Sequence, residues 1–426
     1  MTEDIKEAVS LWDYSAVDDT NYSPLSGNDD TDVAIVGGGF TGLSTALHLA
    51  ERGVACRVLE SEKIGYGGSG RNFGLVNPGV WLPPQEVRAR LGDVYGDRLL
   101  EVLGDAPRYV FSLIDKYAID CEDTRTGTIH AAHSDAGMRE LEGRAETWRQ
   151  RGAPVELLDR DQVAEKIGAP TFHGGLLDRR AGTINPMGYV RGLARAANNA
   201  GAAIHTETAV TKLERQSDKW LVSTNRGTLT ANAVVLGTNA YSDDLWPGLR
   251  HSYTIVNYFI MATEPLGEEA SHVLPERQGV WDTGKIMFSV RRDAHGRIIV
   301  GSMGKLNGGE QGLSRAWANR NLRRYFPQLG DQEWQKGWHG QIAMTPNHIL
   351  KIHRLGPDLY TPIGYNGRGI TTGTVFGKAM ADLLAGDDER DLPLPITDLQ
   401  RVRSAPVMSN LYELAFKANQ LFKTIR

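Results

Sequence analysis

The sequence predicts an α/β fold organised on a parallel sheet, and three observations carry that prediction. Residues 32–61, DVAIVGGGFTGLSTALHLAERGVACRVLES, read as strand, glycine turn, helix and strand. A second helix, through Tyr189, Val190, Leu193, Ala194 and Ala197, ends at Gly201 and is followed by a strand at 202–206. A buried strand at 233–236 ends in Gly237-Thr238-Asn239, and residues 359–384 repeat the pattern of strand, glycine-rich turn and helix.

Residues 33–36 form a continuous apolar run, as a parallel strand covered on both faces requires. Gly37, Gly39 and Gly42 then supply G-x-G-x-x-G, and Leu43, Ala46, Leu47 and Ala50 recur at helical spacing until Gly53 stops the helix. The next strand, 55–59, ends on Glu60, near the spacing of about 20 residues at which a carboxylate meets a ribose 2′-hydroxyl. The glycines permit a tight turn, close approach of backbone N–H groups to a pyrophosphate and close packing of helix on strand, while the helix N-terminus faces the anion. This context makes the stretch a dinucleotide site.

A length of 426 residues predicts two or three domains. With 23% charged and 41% hydrophobic residues the composition is that of an ordinary globular protein, and a net charge of −5 gives no bulk attraction to nucleic acid. No apolar run is long enough to span a bilayer, and MTEDIKEAVS lacks the basic and apolar regions of a secretory signal, so a cytoplasmic protein is expected. Cys56 and Cys121 are the only cysteines, which supports neither a disulfide framework nor a cysteine metal site. His130 with His133, on one helix face, and His348 with His353 lack completing ligands, so no metal is expected. Ser69 sits in Gly-Gly-Ser-Gly-Arg, which departs from the G-x-S-x-G of a hydrolase elbow at its last position.

Residues 1–30 are mostly polar. Residues 27–30 read as a turn-forming loop before the first strand, and 10–12 as a segment able to dock on the body. The span 61–76 holds five glycines around Ser69, Arg71 and Asn72, too costly in chain entropy for plain linker. Together the two stretches, the second reading ES-x-x-I-G-x-G-x-SGRN-x-G, resemble the FAD-dependent oxidoreductases of the D-amino-acid oxidase superfamily, most closely the gamma-glutamylputrescine oxidase group.

The resemblance implies a Rossmann-like FAD-binding domain of the GR2 type, with an inserted α+β substrate domain on a mainly antiparallel sheet. The expected boundaries are 1–85, 150–245 and 335–426 for the FAD-binding domain, and 86–149 and 246–334 for the substrate domain. The implied FAD contacts are Gly37, Gly39, Phe40, Thr41 and Gly42 in the turn, Glu60 and Ser61 after it, and Ser69, Gly70, Arg71, Asn72, Gly74 and Leu75 in the second loop. Val210 would meet the adenine, Gly237 and Thr238 would lie close to the nucleotide, Gly367, Arg368, Gly369 and Ile370 would present N–H groups to the flavin, and Thr371 would be a further cofactor contact.

Other elements follow from local signals. Residues 83–151 turn helical and charged, for example around 99–117, and 172–183 form a hairpin or turn. Asn185-Pro186 is an N-cap followed by Pro at N1. A strand runs from 210 to 213. Residues 220–224 and 228–230, about the turn 225–227, form a hairpin. Residues 253–262 and 286–302 join the second sheet, with 291–296 as a turn, and the chain re-enters the first domain near Trp338. Residues 411–425 suggest an amphipathic helix.

The resemblance implies oxidation of a primary or secondary amine or an amino acid by hydride transfer to flavin N5, giving an imine that hydrolyses. Many amino-acid oxidases of the superfamily carry a carboxylate-clamping arginine shortly after a tryptophan–glycine unit; here Trp338-His339-Gly340 is followed by Gln341, which shifts weight towards an amine or N-substituted amino acid, with Arg291 or Arg292 as substitutes. His339 is the acid/base candidate, because its pKa lies nearest neutrality, and Tyr253 and Tyr258 are pocket aromatics, Tyr258 with a catalytic role. The usual attachment residues are missing, so FAD is expected to bind without a covalent bond. An NAD(P)-dependent dehydrogenase and a non-catalytic flavin-binding protein stay open as alternatives.

Overall fold

A computed structural model describes residues 9–18 and 21–425, with the side chains of all but Glu310 and 422–425. Most of the decapeptide read for a secretory signal, residues 1–8, lies outside the described residues.

The strand Gly27–Val36 lies at the centre of a nine-stranded sheet, parallel to Gly227–Leu236 on one side and to Cys56–Leu59 on the other. Its side chains alternate between two cores. Val33 and Ile35 join Leu43, Leu47, Val190 and Phe376 under the helices, whereas Ala34 and Val36 join Trp220, Val222 and Leu229 on the opposite face. The helix Phe40–Glu51 lies against Gly369–Leu384 with no bulk between them. Ser44 Oγ and Thr45 Oγ1 donate to the Thr374 and Gly377 carbonyls, and a Cβ on Gly377 would stand 2.5 Å from the Thr41 carbonyl oxygen.

A second, eight-stranded sheet is antiparallel except where Gly279–Asp282 runs parallel to Thr128–Ala131. Leu313–Tyr325 covers one face through Trp317, Leu322 and Tyr325. The α/β class with a mainly antiparallel second sheet is as expected.

Several local expectations give way to strand pairing. Residues 27–30, read as a loop, are the first part of the ten-residue strand, paired in register from Gly27 opposite Gly227. Backbone pairing there overrides the turn preference of Asn28, Asp29 and Asp30. The hairpin of Lys219–Thr224 and Gly227–Leu236 forms, but its second strand runs unbroken into 233–236. The helical reading of 83–151 holds for Pro84–Lys116 and Asp135–Gln150, with Thr128–Ala131 as a strand between them, so His130 lies in a strand rather than on a helix face. Arg291 and Arg292 end the strand Ser289–Arg292, and the turn begins at Asp293.

Sheet membership also differs from the expected boundaries. Val155–Leu158, Gly175–Asp178 and Trp334–Met344 belong to the second sheet, and the chain rejoins the first sheet at Lys351–Gly356 rather than near Trp338. The cause is non-local: Trp334–Met344 pairs along Thr254–Thr263, strands separated by about 70 intervening residues. Gly175–Asp178 and Gly182–Thr183 take partners in different sheets, so 172–183 is a connecting turn and not a hairpin. Asn185 caps Pro186–Asn199 as its type and position predict, accepting from the Met187 and Gly188 N–H groups at 3.1 Å.

Candidate active site

The glycine turn is built by contacts that admit no side chain. Gly37 has φ +106°, and a Cβ on Gly42 would lie 2.0 Å from the Gly37 carbonyl oxygen. Ser69 Oγ accepts from the Phe40 N–H at 3.0 Å, which ties the second loop to the start of the helix. Glu60 accepts at both oxygens, from the Gly38 N–H at 2.6 Å and from the Glu62 N–H at 3.0 Å, with the Ser61 hydroxyl at 3.3 Å. Burial pushes its carboxyl above the ordinary range, against those bonds, which favour the ionised form.

The second loop is held from inside and outside. Asn72 Nδ2 donates to the Gly68 and Ser69 carbonyls, and Asn72 Oδ1 accepts from the Gly74 N–H. From outside, the fully buried Trp12 donates its Nε1 hydrogen to the Asn72 carbonyl at 2.8 Å, and Ser10 Oγ donates to the Gly70 carbonyl at 2.7 Å, so residues 10–12 dock on this loop.

These elements border one cavity of about 770 Å³. Of the expected residues, Gly37, Gly39, Phe40, Thr41, Glu60, Ser61, Ser69, Asn72, Leu75, Val210, Gly237 and Thr238 line it. So do Gly367, Arg368, Gly369, Ile370, Gln341 and Tyr258. The N-terminal turns of Phe40–Glu51 and Gly369–Leu384 therefore open onto the same space. The Arg368 N–H is already donated to the Tyr365 carbonyl at 2.9 Å, so of the 367–370 group Arg368 offers the cavity its side chain and not its amide.

Other expected residues lie behind the wall. Gly42 and Gly70 are packing positions: a Cβ on Gly70 would meet the Gly65 carbonyl at 2.4 Å. Gly74 faces Arg291, Thr371 Oγ1 donates to the Asn77 carbonyl, and the Arg71 guanidinium stacks on Tyr66 while its Nε donates to the Tyr66 carbonyl. Arg291 is no pocket residue. It is fully buried, stacks on Trp12, and donates from Nη1 to the Ile184 carbonyl at 2.7 Å and the Phe73 carbonyl at 3.2 Å. Tyr253 is buried and donates to the Asn239 carbonyl. His339 sits exposed on its strand, outside the cavity lining, its pKa lowered by partial burial and by Arg71 and Lys305. Residue type marked these positions, but strand facing turned Arg291 and His339 away, and local packing did the same for the others.

The sequence reading missed a cluster of lining residues: Trp81, His130, Glu140, Arg144, Tyr241 and Trp281. Tyr241 accepts the Gln341 N–H at 3.2 Å beneath Gly67 and Gly68. Only its place just after the Gly237-Thr238-Asn239 turn signals it in the sequence. Three polar atoms of lining residues have no hydrogen-bond partner: Tyr258 Oη, Trp281 Nε1 and Arg368 Nε. Burial holds His130 well below its ordinary value, helped by Arg144 and Arg368, so its ring is neutral near pH 7. No cluster of metal-ligating side chains forms among the described residues.

A cavity of this size, edged by two helix N-termini, a carboxylate already oriented by backbone N–H groups and a turn too tight for any Cβ, fits a dinucleotide. The chain is 30% identical to the gamma-glutamylputrescine oxidoreductase of Escherichia coli, across 88% of this chain and 89% of that protein. It is likewise 30% identical to a probable oxidoreductase OrdL of Haemophilus influenzae, across 87% of each. Its fold matches the crystal structure of glycine oxidase from Geobacillus kaustophilus with a TM-score of 0.68 at 21% identity, over 84% of this chain and 95% of that one. Residues 32–383 match the family model described as FAD dependent oxidoreductase, and the chain therefore belongs to that family, the DAO family, with FAD as its cofactor.

Proposed function

We propose that the protein oxidises a primary or secondary amine, or an amino acid, at the carbon bonded to nitrogen, giving an imine that water hydrolyses. The observation that carries this reading is the single cavity shared by the two helix N-termini and the unpartnered polar atoms of Tyr258, Trp281 and Arg368. The relatives named for amine and amino-acid substrates support it. When bound, FAD supplies the hydride acceptor at N5.

In this reading the turn 37–41 and Ser69 hold the pyrophosphate, and Glu60 holds the adenosine ribose. Val210, Gly237 and Thr238 line the nucleotide end. The N-terminal turn of Gly369–Leu384 lends positive potential where negative charge grows during reduction. Tyr258, its hydroxyl pKa raised far above the ordinary value by burial, stays protonated and can donate to a bound ligand. No catalytic base is required, because a neutral amine can give up hydride directly. A cytoplasmic location is part of this proposal and rests on the ordinary composition of the chain; no described helix is long and apolar enough to cross a membrane.

Anaerobic mixing tests the reaction: an amine should bleach the yellow protein. Across matched pairs, each an α-amino acid and its decarboxylated amine, the amine should win, because Gln341 stands where a carboxylate-clamping arginine is expected and a neutral amide cannot pair an α-carboxylate as a bidentate arginine does. Amino acids that win throughout would overturn this assignment. Acid precipitation should leave the colour in the supernatant, since neither Cys56 nor Cys121 lines the cavity and no histidine stands in the loop 69–74; colour washed down with the pellet would mean a covalent bond.

Glu60→Gln should weaken FAD binding by about tenfold or more, equivalent to roughly 1.5–3 kcal/mol. Both Glu60 oxygens accept backbone N–H groups, so an amide must turn its NH₂ towards one of them, in addition to losing the charge that meets the ribose. Titration of apoprotein with FAD measures the change; equal affinities would remove Glu60 from the nucleotide site.

A further inference from the structure

The helix Ala405–Ile425 lies beyond residues 32–383, the span that matches the family model, and it has two unlike faces. Its inner face is fastened to the second sheet and the loop beside it. Ser409 Oγ accepts from the Ile255 N–H at 3.0 Å, and Glu413 accepts from Asn257 Nδ2 at 2.9 Å and from the Lys305 N–H at 3.1 Å. Gln420 Oε1 accepts from Asn307 Nδ2 at 2.9 Å, and Phe416 is buried against Gly304.

The outer face is left open by the described residues. Val407, Leu411, Leu414 and Leu421 are all exposed, Leu414 by 66%. Among the described residues eight large hydrophobic side chains are exposed, and these are four of them. Such side chains scattered singly are ordinary, whereas a row of four on one helix marks a contact surface.

The spacing of the row points to its partner. Positions 407, 411, 414, 418 and 421 advance by alternate steps of four and three, the a and d positions of a heptad, and Ile425 continues the spacing in the sequence. At 3.6 residues per turn they fall within about 80° of the helix circumference, opposite Phe416. A row of a and d positions is the seam along which one helix packs on another, narrower than the face a helix lays on a globular core. A helix that selects a different partner does so through charges beside the seam. Here Asn410 and Lys417 border it on one side and Met408 and Ala415 on the other, so a single charge flanks it and two copies meet with little repulsion. A helix lying on a lipid surface keeps its charged face towards water. The face opposite this seam, with Ser409, Glu413 and Gln420, is instead packed on protein.

We propose that the C-terminal helix is a self-association element: the seam of Val407, Leu411, Leu414, Ala418 and Leu421 packs on the same seam of a second copy of this chain, an isologous contact that forms a dimer. The whole helix is about 31 Å long, so one pair of seams buries less than the roughly 800 Å² per partner of a standard interface. The dimer is therefore reversible, with a dissociation constant of roughly micromolar order.

Sedimentation velocity of the full-length holoprotein, from about 1 to about 100 µM, should show the mass rise from that of one chain to that of two. The double variant Leu411→Glu, Leu414→Glu should stay a single chain throughout, and Leu414→Gln alone should raise the dissociation constant about tenfold or more. Both side chains are exposed, so flavin colour and unfolding midpoint should match the parent. If the double variant fails to fold, Leu414→Gln decides alone. Val94→Glu, exposed on Pro84–Lys116 and outside the seam, should dimerise as the parent does. A parent that stays a single chain at every concentration, or a dimer that persists in the seam variants, would overturn the proposal. So would a single-chain parent that floats with vesicles of phosphatidylcholine and phosphatidylglycerol while the variants do not, since the seam would then face lipid.

Discussion

Gly42→Ala is expected to purify colourless, with its FAD affinity reduced by about a hundredfold or more. The added methyl would stand 2.0 Å from the Gly37 carbonyl oxygen and 3.2 Å from Ile35 Cγ2. The first contact is with backbone, so no side-chain rotation relieves it. The helix must lift from the strand or the turn must open, an overpacking cost of roughly 1–3 kcal/mol before any loss of cofactor binding. Either movement displaces the N–H groups that border the cavity, which is why binding should suffer more than folding. Gly143→Ala is the control: it lies on an exposed helix face with nothing within 4 Å of the added Cβ, and should keep its colour and gain slightly in stability. Absorbance at the flavin band relative to protein, with an FAD titration of both variants, checks the contrast. A fully yellow Gly42→Ala would show that the turn tolerates a wider opening than its packing suggests.

Arg291→Met should cost roughly 2–3 kcal/mol of unfolding free energy and loosen the flavin, yet leave substrate choice untouched. Arg291 Nη1 lies within 3.4 Å of the Phe73, Gly74 and Ile184 carbonyls, and Trp12 lies against its guanidinium at 5.0 Å. Removing the donor leaves buried acceptors unpaired at the base of a loop whose Phe73 and Leu75 line the cavity. A substrate clamp would behave differently, because losing one lowers kcat/KM for acids and spares neutral amines. Chemical denaturation and the ratio of kcat/KM within each matched pair separate the two roles. An unchanged midpoint with a collapsed ratio would return Arg291 to the substrate site.

The parts of this protein that sequence alone determined are those governed by neighbours along the chain. The apolar run 33–36, the glycines behind it and the carboxylate of Glu60 specify a βαβ unit because helical and strand periods are local properties. Asn185-Pro186 likewise names its own helix start, and Trp220 to Gly227 their own turn. What tertiary structure decided is which side chains share a space. Trp81 and Trp281 stand 200 positions apart in the chain, yet enclose one guanidinium, because a loop ahead of the long helix and a strand of the second sheet converge there. Arg368 was legible as part of a glycine-rich helix start, but not as a cavity cation, since the direction of its side chain follows from the packing of Pro78 and the two indoles. His339 and Arg291 err in the opposite sense. Their chemistry suited a site, and pairing of Trp334–Met344 with Thr254–Thr263, and of Ser289–Arg292 with Ile298–Met303, set one outward and the other into the interior. For His339 the partner strand lies about 70 residues away, and a register shift of one residue reverses every side chain, so its facing had no local signal to read; Arg291 sits in a local hairpin, and only the packing of that sheet face against Trp12 and residues 73–74 shows that it is buried.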